Sequence, residues 1–152
     1  FNDGNIDHAV AATIICKFHG MGQTCVCANR IYVQSSVYAE FASRLAKEVA
    51  SFKVGNGLDE STTHGPLIHV RALEKVQAHV DDAVKLGAQV LVGGTSIPGT
   101  AFFNPTVLSD IPTSARINSE ETFGPLAALD KFETEEEVIK LANSTDVGLT
   151  GY

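Results

Sequence analysis

Segments with the hydrophobic period of a helix alternate with short strand-like runs along the whole chain, and this alternation limits the fold more than any other feature. Apolar residues recur at helical spacing in four segments, 6–18, 35–52, 69–86 and 134–143. Strand-like runs occupy residues 31–34, 88–92, 106–108 and 126–132. Because helices of ten or more residues separate most of these strands, the connections are crossovers. The sequence therefore predicts an α/β fold with a mostly parallel, helix-covered sheet.

Polar residues and glycines at the helix ends support these bounds. Asn5 is expected to cap the first helix, and Ser35 or Ser36 is expected to cap the second. Gly87 is expected to end the third helix in a left-handed conformation. Thr134 opens the fourth helix with a capping-box sequence.

Two strands and one loop depend on local detail. The apolar run 88–92 is predicted to be a buried strand. Pro105 has no backbone N–H, so the run 106–108 that follows it is predicted to be an edge or bent strand and not a central one. The glycine-rich stretch 55–66 is predicted to be a long surface loop, a kind of segment that is often functional.

Composition argues against several classes of partner. The chain has 152 residues, of which 44% are apolar, and a formal net charge of −7. This excess negative charge argues against nucleic acid and anionic membranes as natural partners, and no run of about 20 apolar residues could span a bilayer. The cysteines do not form a disulfide framework, and no metal-ligand spacing is present. A reducing compartment is expected, the cytoplasm or alternatively the mitochondrion.

The stretch 22–30 could deliver a nucleophilic thiol to the edge of the sheet. Cys25 lies there in a small, glycine-led turn between the first helix and the first strand. A thiol needs a lowered pKa or a nearby base to react near neutral pH. Lys17 and Arg30 are the only formal positive charges close to it in sequence. By spacing alone, the commoner outcome is that Cys25 and Cys27 are small hydrophobic residues at a strand edge.

Cys27 follows Cys25 by two residues, and two interpretations of the pair remain open. On an extended backbone the two side chains would share a face, so their sulfur atoms could approach each other. A bridge would still need local distortion, because disulfide geometry is narrow. The pair is then either a redox lock that removes the nucleophile or an incidental neighbour, and the spacing alone favours the second.

A second polar cluster, Glu120-Glu121-Thr122-Phe123-Gly124-Pro125, directly precedes the strand 126–132. A carboxylate there could accept two hydrogen bonds from a ribose, and an aromatic edge could support a flat heterocycle. The same composition is typical of a solvated acidic turn. Lys75 on the third helix could reach a phosphate or a ribose, and His19 could cap the end of the first helix. No glycine-rich nucleotide-binding fingerprint is present.

The segment Gly22-Gln23-Thr24-Cys25 and the later acidic cluster, in this order and separation, resemble the aldehyde dehydrogenase superfamily. The resemblance extends over essentially the whole chain. It implies that residues 1–152 are part of a catalytic domain, without the cofactor-binding and oligomerisation segments. The parent protein would be a homo-oligomer that acts on a small-molecule aldehyde with NAD or NADP.

The resemblance also implies a role for each candidate residue. Cys25 would attack the aldehyde carbonyl, and its backbone N–H would form half of an oxyanion hole. Glu121 would hold the nicotinamide ribose, and Phe123 would pack near the nicotinamide. Lys75 matches a position near that ribose. No metal is implied.

Within the superfamily, the chain is most similar to the succinate-semialdehyde dehydrogenases. In that branch the pair Cys25–Cys27 resembles a redox switch, and an arginine binds the distal carboxylate of the substrate. His19 stands at the position of this arginine, and a neutral imidazole does not reproduce a bidentate guanidinium. The general-base glutamate of the family would lie upstream of Phe1.

The isolated chain is therefore predicted to have no dehydrogenase activity, because it lacks this base and most of the cofactor site. Two other functions stay open at this stage. The chain could act through its surface as a non-enzymatic binding or antigenic module. It could also be a thiol hydrolase that uses Cys25 together with a histidine.

Overall fold

The computed structural model describes all residues from Phe1 to Tyr152. It contains four α-helices and four strands, joined by two short 3-10 turns, His19–Gly22 and Arg116–Asn118. In chain order the elements are α1 (Ile6–Phe18), β1 (Ile31–Gln34), α2 (Ser35–Ala50), α3 (Val70–Leu86), β2 (Gln89–Val92), β3 (Thr106–Ser109), β4 (Leu126–Phe132) and α4 (Glu135–Ala142). None of these helices combines the length and the apolar character that crossing a membrane requires.

The four strands form one sheet in the order β1-β4-β3-β2. β4 is parallel to both β1 and β3, and β2 is antiparallel to β3. Successive side chains of β3 and β4 point to opposite faces of the sheet and belong to two hydrophobic cores. One core contains Val107, Ala127 and Leu129, and the other contains Leu108, Leu126 and Ala128. The first core also contains the buried apolar residues of α1 and α2, and the second contains those of α3. The predicted α/β fold with a mostly parallel, helix-covered sheet is confirmed.

Three of the four predictions for residues at helix ends are confirmed. The Asn5 carboxamide accepts a hydrogen bond from the His8 N–H at 3.0 Å, and the Thr134 hydroxyl accepts one from the Glu137 N–H at 3.3 Å. Gly87 ends α3 with φ of 116°. The prediction for α2 was wrong, because Gln34 is its N-cap residue and Ser35 already lies in the helix.

The roles of β2 and β3 are the reverse of those predicted. β3 is a central, fully buried strand, and Pro105 precedes its first residue, where a missing N–H removes no hydrogen bond from the ladder. β2 is the edge strand, and Val90 and Leu91 are 43% and 40% exposed. An apolar run alone could not distinguish a buried strand from an edge strand, because the pairing partners decide it.

The sheet topology brings the two candidate segments together. The stretch 22–30 leads into β1, and the stretch 120–125 leads into β4. Because β1 and β4 are adjacent and parallel, the segments that precede them lie at the same end of the sheet. The candidate site is therefore formed by residues far apart in sequence.

Candidate active site

The thiol turn, residues 22–29, presents Cys25 to solvent at the start of β1. The Cys27 N–H donates to the Thr24 carbonyl at 3.0 Å, so the chain turns here and is not extended. Cys25 is exposed and Cys27 is buried, with 7% of its surface accessible. The Cys27 sulfur lies 2.8 Å from the Thr24 hydroxyl. The extended backbone on which the two side chains would share a face is therefore not present at this turn.

A left-handed segment leads from α1 into the thiol turn. Gly20, Met21 and Gly22 have φ angles of 58°, 62° and 67°. Left-handed conformation is uncommon for a residue with a side chain, and Met21 is held in it by burial in the hydrophobic core, where only 4% of it is exposed. A Cβ on Gly22 would lie 2.1 Å from the Gly124 carbonyl oxygen. The thiol turn and the segment before β4 therefore touch at two glycines.

The acidic segment, residues 120–125, is fixed at Thr122, which is 2% exposed. Its N–H donates to the Asn29 side-chain oxygen at 2.8 Å. Its carbonyl accepts from the Lys17 ammonium nitrogen at 3.5 Å, and its hydroxyl lies 2.8 Å from Nδ1 of His79. Thr122 thus links α1, the thiol turn and α3.

Glu121 and Phe123 flank this anchor and point outward. Glu121 is exposed, and Phe123 keeps 39% of its surface accessible although its neighbours are buried. An accessible carboxylate and an accessible aromatic ring on either side of Thr122 are groups suited to the hydroxyl groups of a ribose and to a flat heterocycle.

Glu120 takes part in a separate ionic network. Its carboxylate accepts hydrogen bonds from Arg116 at 2.9 and 3.1 Å and contacts Nε2 of His79 at 3.2 Å. These hydrogen bonds lower the pKa of Glu120 to about 2, and the bond with Arg116 has the largest effect. Burial is the main cause that lowers the pKa of His79. The neutral imidazole therefore donates from Nε2 to Glu120 and accepts the Thr122 hydroxyl at Nδ1.

Lys75 lies on the exposed side of α3, one helical turn before His79. It makes no hydrogen bond or ion pair with Glu121, and its charge is one of the smaller causes that lower the pKa of His79. Within this chain, Lys75 is therefore next to the His79–Glu120 network and is not joined to the thiol turn.

His19 is exposed at the C-terminal end of α1, directly before the left-handed segment. It lines a cavity of about 490 Å³ together with residues of the loop between α2 and α3, among them His64. The His64 ring stacks on Phe52 with 4.1 Å between ring centroids. No histidine hydrogen-bonds to Cys25 within the chain.

Lys17 is completely buried behind the thiol turn. Burial lowers its pKa to about 8, an effect opposed by Cys27, Cys16 and Glu121. Its amine nitrogen contacts only the Thr122 carbonyl among hydrogen-bond acceptors. In the sequence Lys17 stands out only as a positive charge near the thiol, yet it belongs to the buried residues of α1, which are Val10, Thr13, Lys17 and Phe18. A lysine on the apolar face of a helix was the signal of its burial.

Comparison with known proteins identifies the family of the chain. The sequence profile of the aldehyde dehydrogenase family matches residues 1–152. The chain is 55% identical over 152 residues to a glutarate-semialdehyde dehydrogenase of Pseudomonas putida, covering 100% of the chain and 32% of that protein. It is 51% identical over 154 residues to a succinate-semialdehyde dehydrogenase [NADP(+)] of Schizosaccharomyces pombe, covering 100% of the chain and 31% of that protein.

Solved structures give the same result for the fold. A crystal structure of an Escherichia coli NADP dependent enzyme is similar with a TM-score of 0.95 and 47% identity, covering 98% of the chain and 31% of that protein. A succinate-semialdehyde dehydrogenase from Burkholderia pseudomallei is similar with a TM-score of 0.94 and 45% identity, covering 96% of the chain and 30% of that protein. The chain thus spans about a third of the length of the relatives it matches.

Proposed function

Because the chain belongs to the aldehyde dehydrogenase family, we propose that the complete protein that contains it oxidises an aldehyde to a carboxylic acid with NAD or NADP. One observation carries this proposal. The exposed thiol of Cys25 lies in a turn that packs directly on the segment presenting Glu121 and Phe123. A nucleophile next to a ribose-binding carboxylate is the arrangement that this reaction needs.

Cys25 begins the reaction. Its thiolate attacks the aldehyde carbon, a C–S bond forms, and the carbonyl oxygen becomes the oxyanion of a thiohemiacetal. The backbone N–H of Cys25 makes no hydrogen bond within the chain, so it is free to donate to this oxyanion as half of an oxyanion hole. Oxidation of the same carbon gives a thioester, which water hydrolyses to the acid and the free thiol.

Glu121 and Phe123 would hold the cofactor. The carboxylate of Glu121 can accept two hydroxyl hydrogen bonds from the nicotinamide ribose, and the accessible ring of Phe123 can pack against the nicotinamide. Bound NAD or NADP supplies the acceptor for the hydrogen and electron pair that leave the substrate carbon. Lys75 is proposed as a weaker contact near the ribose.

The proposed substrate is a short aldehyde with a negatively charged group at its far end, succinate semialdehyde in particular. Three relatives bear the names glutarate-semialdehyde, succinate-semialdehyde and 3-sulfolactaldehyde dehydrogenase, and each named substrate ends in an anion. His19 lines the open cavity beside the thiol turn. The imidazole of His19 could donate a hydrogen bond to the distal anion, although it would bind that anion more weakly than an arginine does.

We also propose that Cys27 pairs with Cys25 under oxidation. Hydrogen peroxide would oxidise the Cys25 thiolate to a sulfenic acid, and the Cys27 thiol would displace water from it to form the disulfide. The turn must open for this step, because Cys27 is buried and bound to Thr24. In the complete protein, peroxide inactivation that thiols reverse should be lost in Cys27→Ala.

The proposed function is tested with the complete protein. Wild type should form NAD(P)H with succinate or glutarate semialdehyde at least ~100-fold more efficiently, in kcat/KM, than with butanal. Cys25→Ser should reduce this rate by ~1000-fold or more at unchanged thermal stability, whereas Cys16→Ser serves as the matched control and should stay active. An active Cys25→Ser variant would contradict the proposal. The isolated 152-residue chain should produce no NAD(P)H.

A further inference from the structure

The least expected polar group in the molecule is the ammonium of Lys17. No part of Lys17 is exposed, whereas lysine side chains ordinarily extend until the charged end reaches water. An ammonium group has three donors, and here its contact is one carbonyl, that of Thr122, at 3.5 Å. No carboxylate lies within ion-pair distance of it within the chain.

This contact lies at the junction of the two segments that form the site. The Thr122 carbonyl is held by Lys17 of α1 and its N–H by Asn29 of the thiol turn. Directly beside these bonds, Gly22 packs on Gly124, and the Lys17 carbonyl is the next-nearest group to Gly22, 3.0 Å from a Cβ built there. The backbone and the side chain of Lys17 therefore both contact this junction.

The charge of Lys17 faces three titratable groups. They are Cys16 on its own helix, Cys27 of the thiol turn and Glu121 of the acidic segment. Glu121 directly precedes Thr122, whose carbonyl the Lys17 ammonium contacts at 3.5 Å. This contact is therefore the geometric link between Lys17 and Glu121.

We propose that Lys17 is a positioning residue, whose buried ammonium group holds the Thr122 carbonyl, so that the adjacent Glu121 stays in place for the nicotinamide ribose. The role of Glu121 towards the ribose rests on the proposed function, whereas the contact between Lys17 and Thr122 is independent of it.

A purely structural role does not account for the charge. Removing an ammonium group from water is costly, and an apolar side chain of the same length would fill the space at lower cost. Lys17→Met is therefore expected to keep or raise the stability of the protein while it loosens the acidic segment. Loss of a simple packing residue would lower stability and function together.

The first test measures cofactor binding in the complete protein. The dissociation constant of NADPH or NADH is measured by fluorescence titration between pH 6.5 and 9.5, in a Cys25→Ser, Cys27→Ala background that removes two nearby thiol titrations. This double variant is the reference protein. It should bind NADPH or NADH ~10-fold more weakly above pH 8.5 than at pH 6.5, because Lys17 loses its proton. Lys17→Met should bind ~10-fold more weakly at every pH, and the exposed-lysine control Lys47→Met should match the reference.

The second test needs no cofactor. Hydrogen–deuterium exchange of the peptide covering 118–125 should be at least ~5-fold faster in Lys17→Met than in wild type, while exchange in α3 is unchanged. Equal exchange would overturn the proposal. So would a reference protein whose cofactor affinity does not depend on pH, a result that needs no variant to fold. If wild type binds no nicotinamide cofactor, the proposed function fails, and the exchange measurement still decides the role of Lys17.

Discussion

The thiol turn and the acidic segment meet at one site and are held in different ways. The thiol turn is shaped by its own backbone, through the left-handed residues 20–22 and the Cys27–Thr24 hydrogen bond. The acidic segment is held by side chains from elsewhere, three of which bind Thr122, while Arg116 and His79 bind Glu120. In both segments the candidate functional side chain, Cys25 or Glu121, is exposed. A neighbouring residue, Cys27 or Thr122, is buried and anchors the segment. Anchoring and chemistry are thus assigned to different residues.

The largest effect is expected where the two segments touch. Gly22→Ala places a Cβ 2.1 Å from the Gly124 carbonyl oxygen at a φ of 67°, so it combines overpacking with a strained left-handed backbone. We expect the free energy of unfolding of the complete protein to fall by about 3–4 kcal/mol in urea denaturation. Gly57→Ala is the control, since a Cβ there meets nothing within 4 Å. Equal effects of the two substitutions would show that the segments do not touch.

The next effect comes from the charge between the segments. The folded-state pKa of Lys17, about 8, lies below its ordinary value of 10.5, so the unfolded chain binds more protons between these pH values. Stability of wild type should therefore rise from pH 8 to 10.5, by up to about 3 kcal/mol. Lys17→Met should be more stable than wild type at pH 7 and should lose this rise. A parallel rise in both proteins would contradict the burial of the charge.

Thr122 is an anchor and the adjacent Glu121 is a candidate binding residue, so substitutions at the two positions should have opposite effects on stability and cofactor binding. Thr122→Val removes the hydroxyl that binds buried Nδ1 of His79 and should lower the free energy of unfolding by about 1–2 kcal/mol. Glu121→Gln keeps the shape of an exposed side chain and should change it by less than about 0.5 kcal/mol, while cofactor binding weakens. Chemical denaturation and NADPH titration of both variants test this contrast. Equal stability losses would place Glu121 among the anchors.

The smallest effect is expected at the outer end of the acidic segment. Because Arg116 and His79 lower the pKa of Glu120 to about 2, this carboxylate stabilises the fold above about pH 4.5, and the contribution is lost as the pH falls towards 2. Arg116→Ala should raise the pKa of Glu120 and move the acid-unfolding midpoint to higher pH. Circular dichroism during acid titration measures the midpoint, with the exposed Arg71→Ala as control.

Local pattern predicted most of the fold. Helix bounds followed from apolar spacing and from Asn5, Gly87 and Thr134, since caps and periodicity act within a few residues. The exchange of roles between β2 and β3 could not be predicted, because strand order depends on pairing across the whole chain. Pro105 was used to infer an edge position for β3, but a proline directly before a strand is also compatible with a central position.

The site was predicted in part. Cys25, Glu121 and Phe123 were identified through motifs that resemble those of the aldehyde dehydrogenase family. Their roles remain predictions. Thr122 and His79 were missed as anchors because their importance lies in contacts between distant segments. For Lys17 there was a local signal, its place on the apolar stripe of α1, but a charge in sequence does not show whether its side chain is solvated.

The anchors of Thr122 have a consequence for biosynthesis. Lys17 and Asn29 precede Thr122 by 105 and 93 residues, so at ~5–20 residues per second the ribosome releases the thiol turn about 5–20 s before its partner. Throughout that interval the three cysteines lack the packing that later buries Cys27. The nascent chain therefore passes through a period in which its thiols are open to oxidation, and translation speed and cellular redox state should together set the yield of correctly folded protein.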